Sequence, residues 1–165
     1  MAIERMGFEL NKRIHKKYGN IAEECTVGDK HCRFRSQGEK RLAYYLETLK
    51  LGGYIRDWAF EQTKFTTAAG DGFWLVDFDV LNNDGTFEYY EFKGAVKQQD
   101  ITKLQLLFEC KPEVIMTFVF ENRRSAAKLS RRKISRQLKA IMIQSTSGKG
   151  LTEFDGKTPR RKKRV

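Results

Sequence analysis

At 165 residues, 40% of them hydrophobic, the chain is long enough to bury a core, and its three cysteines are too few and too odd in number for a secreted disulfide scaffold. No apolar run approaches the ~20 residues of a membrane-spanning helix, and Glu4, Arg5 and Glu9 stand where a signal peptide would be apolar, so a soluble, cytoplasmic protein is expected. The net charge of +11 is concentrated: residues 123–165 hold 15 Lys and Arg against two Asp and Glu, while the preceding 122 residues sum to −2. A segregated polycation points to a polyanionic partner, most commonly nucleic acid. An acidic membrane is the weaker reading, because the segment lacks the bulky aromatic face of an interfacial helix.

Residues 1–33 read as an N-terminal extension, with Phe8, Leu10, Ile14 and Tyr18 at loose helical spacing. Cys25, His31 and Cys32, with His15, fit no common zinc-finger spacing and read as ordinary thiols and imidazoles. A helix begins at Ser36, carries Leu42, Ala43, Leu46 and Leu49 at helical spacing, and ends at Gly52-Gly53. Ser36-x-x-Glu39 is a capping box, which by itself accounts for Glu39. Tyr54–Phe60 and Lys64–Thr67 are rich in β-formers and predict one or two strands.

Two apolar, aromatic-rich runs follow, Trp74–Val80 and Phe87–Gly94, joined through Asn82-Asn83-Asp84-Gly85. Those four residue types tolerate the positive φ of tight turns, so the pair predicts a β-hairpin. Strand periodicity places Asp77 and Asp79 on one face, and Glu91 and Lys93 on one face. Asp100–Cys110 predicts a helix stopped by Lys111-Pro112, and Val114–Phe120 a strand buried on both faces beside the Glu91 strand. From about Ser130, the residues Ile134, Leu138 and Ile141 form the stripe of an amphipathic helix whose neighbouring arc is basic. The expected organisation is an extension (1–33), a core (34–122), a basic helical segment (123–150) and a basic flexible tail (151–165). The fold class is α/β: a mixed central β-sheet flanked by helices, with a basic C-terminal helix and tail.

Three carboxylates and an ammonium converging on an apolar hairpin need a partner, because buried unpaired charge is costly, and a divalent cation is the obvious one. Phosphodiester hydrolysis uses such an arrangement: metal held by carboxylates activates water and neutralises the phosphate, with a lysine close by. For Asp77 the plainer alternative is a strand-end position or a salt bridge to Lys93, for Glu91 and Lys93 it is cross-strand ion pairing, and for Glu39 it is the helix cap.

Phe34-Arg35-Ser36-x-x-Glu39 opening a helix, Val76-Asp77-Phe78 entering a hairpin and Glu91-Phe92-Lys93-Gly94 leaving it, then a helix and a buried strand, resemble the PD-(D/E)xK nuclease superfamily. Within it the chain is most similar to the phage-type endonuclease I group of Holliday-junction resolvases, over about Phe34 to Asn122. The resemblance implies a restriction-endonuclease-like sheet. It implies Asp77 and Glu91 as metal-binding acids, Lys93 as the catalytic lysine and Glu39 as the helix-borne acid. It further implies one or two Mg²⁺ or Mn²⁺ ions per site, and a homodimeric phage protein cutting branched DNA in the host to leave 5′-phosphates and 3′-hydroxyls. No nucleotide cofactor is implied. Val76 stands where the family carries proline, and Asp79 is an additional acid, open between a water-mediated metal contact and a sheet-end position. Candidate DNA contacts are Arg35, Arg123, Arg124, Lys128, Arg131, Arg132, Arg136 and Lys139. A restriction- or recombination-type nuclease of the same fold, and a non-catalytic nucleic-acid-binding protein, are the alternatives.

Overall fold

Ser36 divides a hairpin from a helix. In the computed structural model, which describes residues 22–132, 138–146 and 150–157, strands β1 (Glu23–Val27) and β2 (Lys30–Phe34) pair antiparallel. They turn through Gly28-Asp29, where Gly28 takes the φ of +62° that a two-residue hairpin needs. Val27, Cys32 and Phe34 are buried on the inner face of this hairpin. From residue 23 onward the segment expected to be an extension is therefore core. Helix α1 (Gln37–Leu51) is capped by Ser36, whose Oγ accepts from Glu39 N at 3.1 Å, and it buries Leu42, Ala43 and Leu46.

Strands β3 (Asp57–Phe60), β4 (Lys64–Thr66), β5 (Gly72–Leu75), β6 (Phe78–Leu81) and β7 (Phe87–Lys93) precede helix α2 (Gln98–Cys110). Strand β8 (Met116–Phe120), helix α3 (Arg123–Ser130), β9 (Leu138–Gln144) and β10 (Leu151–Glu153) follow. Six strands form one mixed sheet in the order β10-β9-β8-β7-β6-β3, antiparallel at its edges and parallel across β7-β8-β9. The chain is α/β, and among the described residues three helices flank this sheet. Alternation along β8 shows the layering: Met116, Phe118 and Phe120 pack with Leu104, Leu107 of α2 and Leu129 of α3, whereas Val119 packs with Leu42 and Leu46 of α1. Buried on both faces and parallel to β7, β8 is the strand its apolar run predicts. No described helix is long and apolar enough to cross a membrane.

Two expectations change. The run Trp74–Val80 is not one strand: Trp74 and Leu75 pair with β4 in a separate two-stranded sheet, and only from Phe78 does the chain join the main sheet. Asp77 falls at the break, where its Oδ2 accepts from Phe92 N at 2.8 Å and the backbone ladder gives way to side-chain bonds. The second change is at the C-terminal side. The helix stops at the C-cap Arg131, and Leu138 and Ile141 lie in strand β9, parallel to β8. The helical spacing of Leu138 and Ile141 left out Ala140, Met142 and Ile143. With those included, Ile141 and Ile143 face one layer and Met142 the other, a two-sided apolar strand. The sheet therefore extends past 122, and β10 takes up the start of the expected flexible tail. Ile134, Arg136 and residues 158–165 lie outside the described residues.

Gly38, in the first turn of α1, sits where a Cβ would meet Phe92 Cζ at 1.9 Å. Phe92 is buried in β7, so neither partner can withdraw cheaply. Gly38→Ala should lower stability by about 1–3 kcal/mol through overpacking, read as a fall in the urea midpoint; an unchanged midpoint would show that α1 can lift off β7.

Candidate active site

Four side chains from three elements meet at one end of the sheet. Glu39 comes from the first turn of α1, Asp77 from the break before β6, and Glu91 and Lys93 from the end of β7. Asp77 and Glu91 are interlocked: Asp77 N donates to Glu91 Oε2 at 3.2 Å, while Asp77 Oδ2 accepts from Phe92 N. Lys93 Nζ is 2.6 Å from Glu91 Oε1 and 3.8 Å from Asp100 Oδ1. Glu39 Oε2 accepts from Arg35 N at 2.7 Å. The capping box is thus half formed. Ser36 caps Glu39 N, but the Glu39 carboxylate turns to the residue before Ser36 and stays in range to repel the Asp77 carboxylate.

Charge in this pocket is unbalanced. Glu91 is 2% exposed and Asp77 5%, so water cannot screen them. Burial, then the charges of Glu91 and Glu39, push the Asp77 carboxyl well above its ordinary range. Burial also raises Glu91, against the pull of Lys93. For Lys93, burial favours the neutral amine, but Glu91, Asp77 and Asp100 outweigh it and the net shift is upward, so Lys93 is an ammonium at neutral pH.

The donor set suits a hard divalent cation. All donors are carboxylate oxygens, and the raised Asp77 and Glu91 carboxyls mark a place where one more positive charge would be stabilising. Among the described residues no group of three or more His, Cys, Asp or Glu side chains is placed to hold a metal ion. Asp77 and Glu91 are the pair that would hold one, with water completing the shell as in Mg²⁺ sites that keep few carboxylates, and Glu39 stands beside them.

Three participants were missed by sequence reasoning. Trp74 stands beside Glu91 and helps hold its carboxyl down, and its ring lies 5.9 Å from Lys93 Nζ. Trp74 was legible only as a strand aromatic. Asp100 caps α2, accepting from Lys97 N at 2.7 Å, and also faces Lys93. Its place as the first acid of a helix soon after Lys93 was the available signal. Glu61 donates its N–H to Asp77 O at 2.9 Å and pairs with Arg35; its positive φ of 51° has no sequence signature. Asp79 is held elsewhere. Burial raises its carboxyl, with Thr63 pulling the other way, and its Oδ1 is buried without a partner.

The expected DNA-contacting cations separate into groups. Arg35 is at the mouth, 3.8 Å from Asp77 Oδ1. Helix α3 carries Arg123, Arg124 and Lys128 and begins beside the site, because Asn122 Nδ2 and Ser125 Oγ both donate to Gly94 O, at 3.0 and 3.2 Å. Lys128 donates to Val96 O at 2.7 Å, and Arg123 pairs with Asp155. Arg124, Arg131 and Arg132 are exposed. Lys139, on β9, pairs with Glu88 near the start of β7 and does not join an arc with α3. Arg136 lies outside the described residues. A cavity of about 500 Å³ between β2 and β3 is lined by residues including His31, Arg33, Phe60 and Glu61, and reaches the site only through Glu61.

No protein-family model, curated protein or solved structure matches this chain.

Proposed function

We propose that the chain is a metal-dependent DNA endonuclease of the PD-(D/E)xK kind, with a restriction-endonuclease-like core, that cuts branched DNA as a homodimer. The observation that carries this reading is the convergence of Glu39, Asp77, Glu91 and Lys93 from three elements onto one buried, negatively unbalanced pocket. The order α1, β3, β6, β7, α2, β8, with an antiparallel run of strands followed by a parallel crossover, supports the fold assignment. The closeness of α3 to Lys93 through Gly94 supports nucleic acid as substrate, since it sets basic residues beside the carboxylates.

In this reading Mg²⁺ or Mn²⁺, held by Asp77 and Glu91 with Glu39, supplies Lewis acidity and an activated water. The chain supplies placement. The Asp77 N–H and Lys93 fix the Glu91 carboxylate, and Asp100 ties Lys93 to the start of α2. In the metal-free protein Lys93 is held as an ammonium, a form suited to stabilising phosphate charge and orienting water. Phosphate contacts carry no base sequence, so selectivity by DNA shape follows, and a two-fold dimer matches the two-fold symmetry of a four-way junction.

The test is purified protein with Mg²⁺ on four-way junction, fork and linear duplex DNAs of one sequence. Paired nicks with 5′-phosphate ends, made preferentially in the junction, are expected. Equal cleavage of all three would instead mark a general nuclease of this fold. No cleavage with either Mg²⁺ or Mn²⁺ would overturn the enzyme reading.

A further inference from the structure

Arg35 joins the site in two independent ways. Its main-chain N–H holds Glu39 Oε2 at 2.7 Å, whatever its side chain does. Its guanidinium pairs with Glu61 and stands 3.8 Å from Asp77 Oδ1. The Arg35 side chain is 61% exposed and that of Asp77 only 7%, so the guanidinium lies between solvent and the buried carboxylate. Asp77 Oδ2 is already taken by Phe92 N. Oδ1 is thus the oxygen that a cation arriving from solvent would meet, and Arg35 is there first.

Glu61 makes this position specific. Among the described residues it is the only non-glycine with positive φ, and it is held by its own N–H on Asp77 O. That backbone bond ties the Glu61 carboxylate, and with it Arg35, to the residue whose charge Arg35 offsets.

We propose that Arg35 is a placeholder cation: parked on Glu61, it offsets part of the charge at Asp77 Oδ1 in the metal-free protein and is displaced from it when a divalent ion enters. The inference rests on the reading of Asp77 and Glu91 as metal ligands. Two cations within ~4 Å of one oxygen repel strongly in a poorly screened pocket, so the weaker binder leaves. Once displaced, a guanidinium on a long exposed side chain is suited to a DNA phosphate, which it can grip with two parallel bonds. Arg35 therefore sets the metal affinity of the site and couples ion entry to substrate contact.

The test measures Mn²⁺ binding to the full chain without DNA, from the electron paramagnetic resonance signal of free Mn²⁺, for the wild type, Arg35→Gln and Arg35→Lys. Both variants keep the main-chain bond to Glu39. Removing the competing charge should tighten Mn²⁺ binding roughly three- to tenfold in Arg35→Gln, and Arg35→Lys should stay near the wild type. A site loosened by a merely structural defect would bind more weakly, so tighter binding separates the two roles. Equal or weaker binding by Arg35→Gln, in a protein with wild-type circular dichroism, would overturn the placeholder while leaving the metal site intact. If the wild type and both variants bind no Mn²⁺, the metal site fails and the placeholder with it.

Discussion

Lys93→Ala should reduce Mg²⁺-dependent DNA cleavage by about 10²–10⁴-fold while DNA affinity stays near the wild-type value. The ammonium is directed at the site by Glu91 at 2.6 Å and Asp100 at 3.8 Å, and it lies against the ring of Trp74. It is not part of the basic surface of α3, so phosphate contacts elsewhere survive its loss. The raised Lys93 pKa separates charge stabilisation from base catalysis. A neutral lysine acting as base would give a rate that climbs with pH toward that raised pKa. An ammonium gives a rate that falls once the proton is lost. Gel assays of cleavage and of binding in Ca²⁺ read the two effects separately. Retained Mg²⁺-dependent cleavage by Lys93→Ala would remove this pocket from consideration as the catalytic centre.

Asp77→Asn should abolish cleavage and, at the same time, make the metal-free protein more stable. The Asp77 carboxylate is buried beside Glu91 and Glu39, and its charged form is disfavoured in the folded state. An amide retains an oxygen for Phe92 N, the bond that holds the strand break in place. Relief of the buried charge is worth about 1–2 kcal/mol, or roughly 2–8 °C in Tm for a chain of this size.

The pH dependence fixes the sign. Because the folded pKa lies above the unfolded value of about 3.9, both states are protonated at low pH and the wild type keeps its full stability there. As pH rises past the unfolded pKa, the unfolded chain releases a proton that the folded chain still holds. Wild-type stability then declines until the raised folded pKa is passed. The gap between Asp77→Asn and wild type should widen over that window and then level off. Adding Mg²⁺ should close it from the wild-type side. A variant no more stable than wild type at neutral pH would mean that Arg35 already neutralises Asp77 completely.

The elements best read from sequence were those whose cause is local. Ser36 and Gly52 bound α1 through capping and chain flexibility, and Asn82–Gly85 joins β6 to β7, as their residue types dictate. The quartet was legible because Asp, Glu and Lys stand out among Trp, Phe and Val. What escaped was set by contacts distant in sequence. The break at Asp77 exists because its carboxylate reaches Phe92, 15 residues away. The Arg35–Glu61 pair spans 26 residues. Strand β9 was mistaken for helix because Leu138 and Ile141, three apart, fit the helical period, and only its pairing with β8 shows the strand. Glu39 was weighed as cap against ligand, and the structure divides the two duties: Ser36 does the capping, leaving the carboxylate to Arg35 N and the neighbourhood of Asp77.

Gln144, the last residue of β9, is buried against the first turn of α1, its amide placed to donate to Gly38 O and accept from Leu42 N, each at 3.1 Å. The helix that delivers Glu39 is thereby fastened by a residue more than a hundred positions downstream. The hairpin of Asp77, Glu91 and Lys93 joins segments close in sequence, whereas the parallel pairing of β8 with β9 spans the connection that carries α3. During synthesis, a ribosome-bound chain lacking residues 138–144 would carry the hairpin without the strand that secures α1. In such a chain the helix bearing Glu39 would lack its Gln144 contacts.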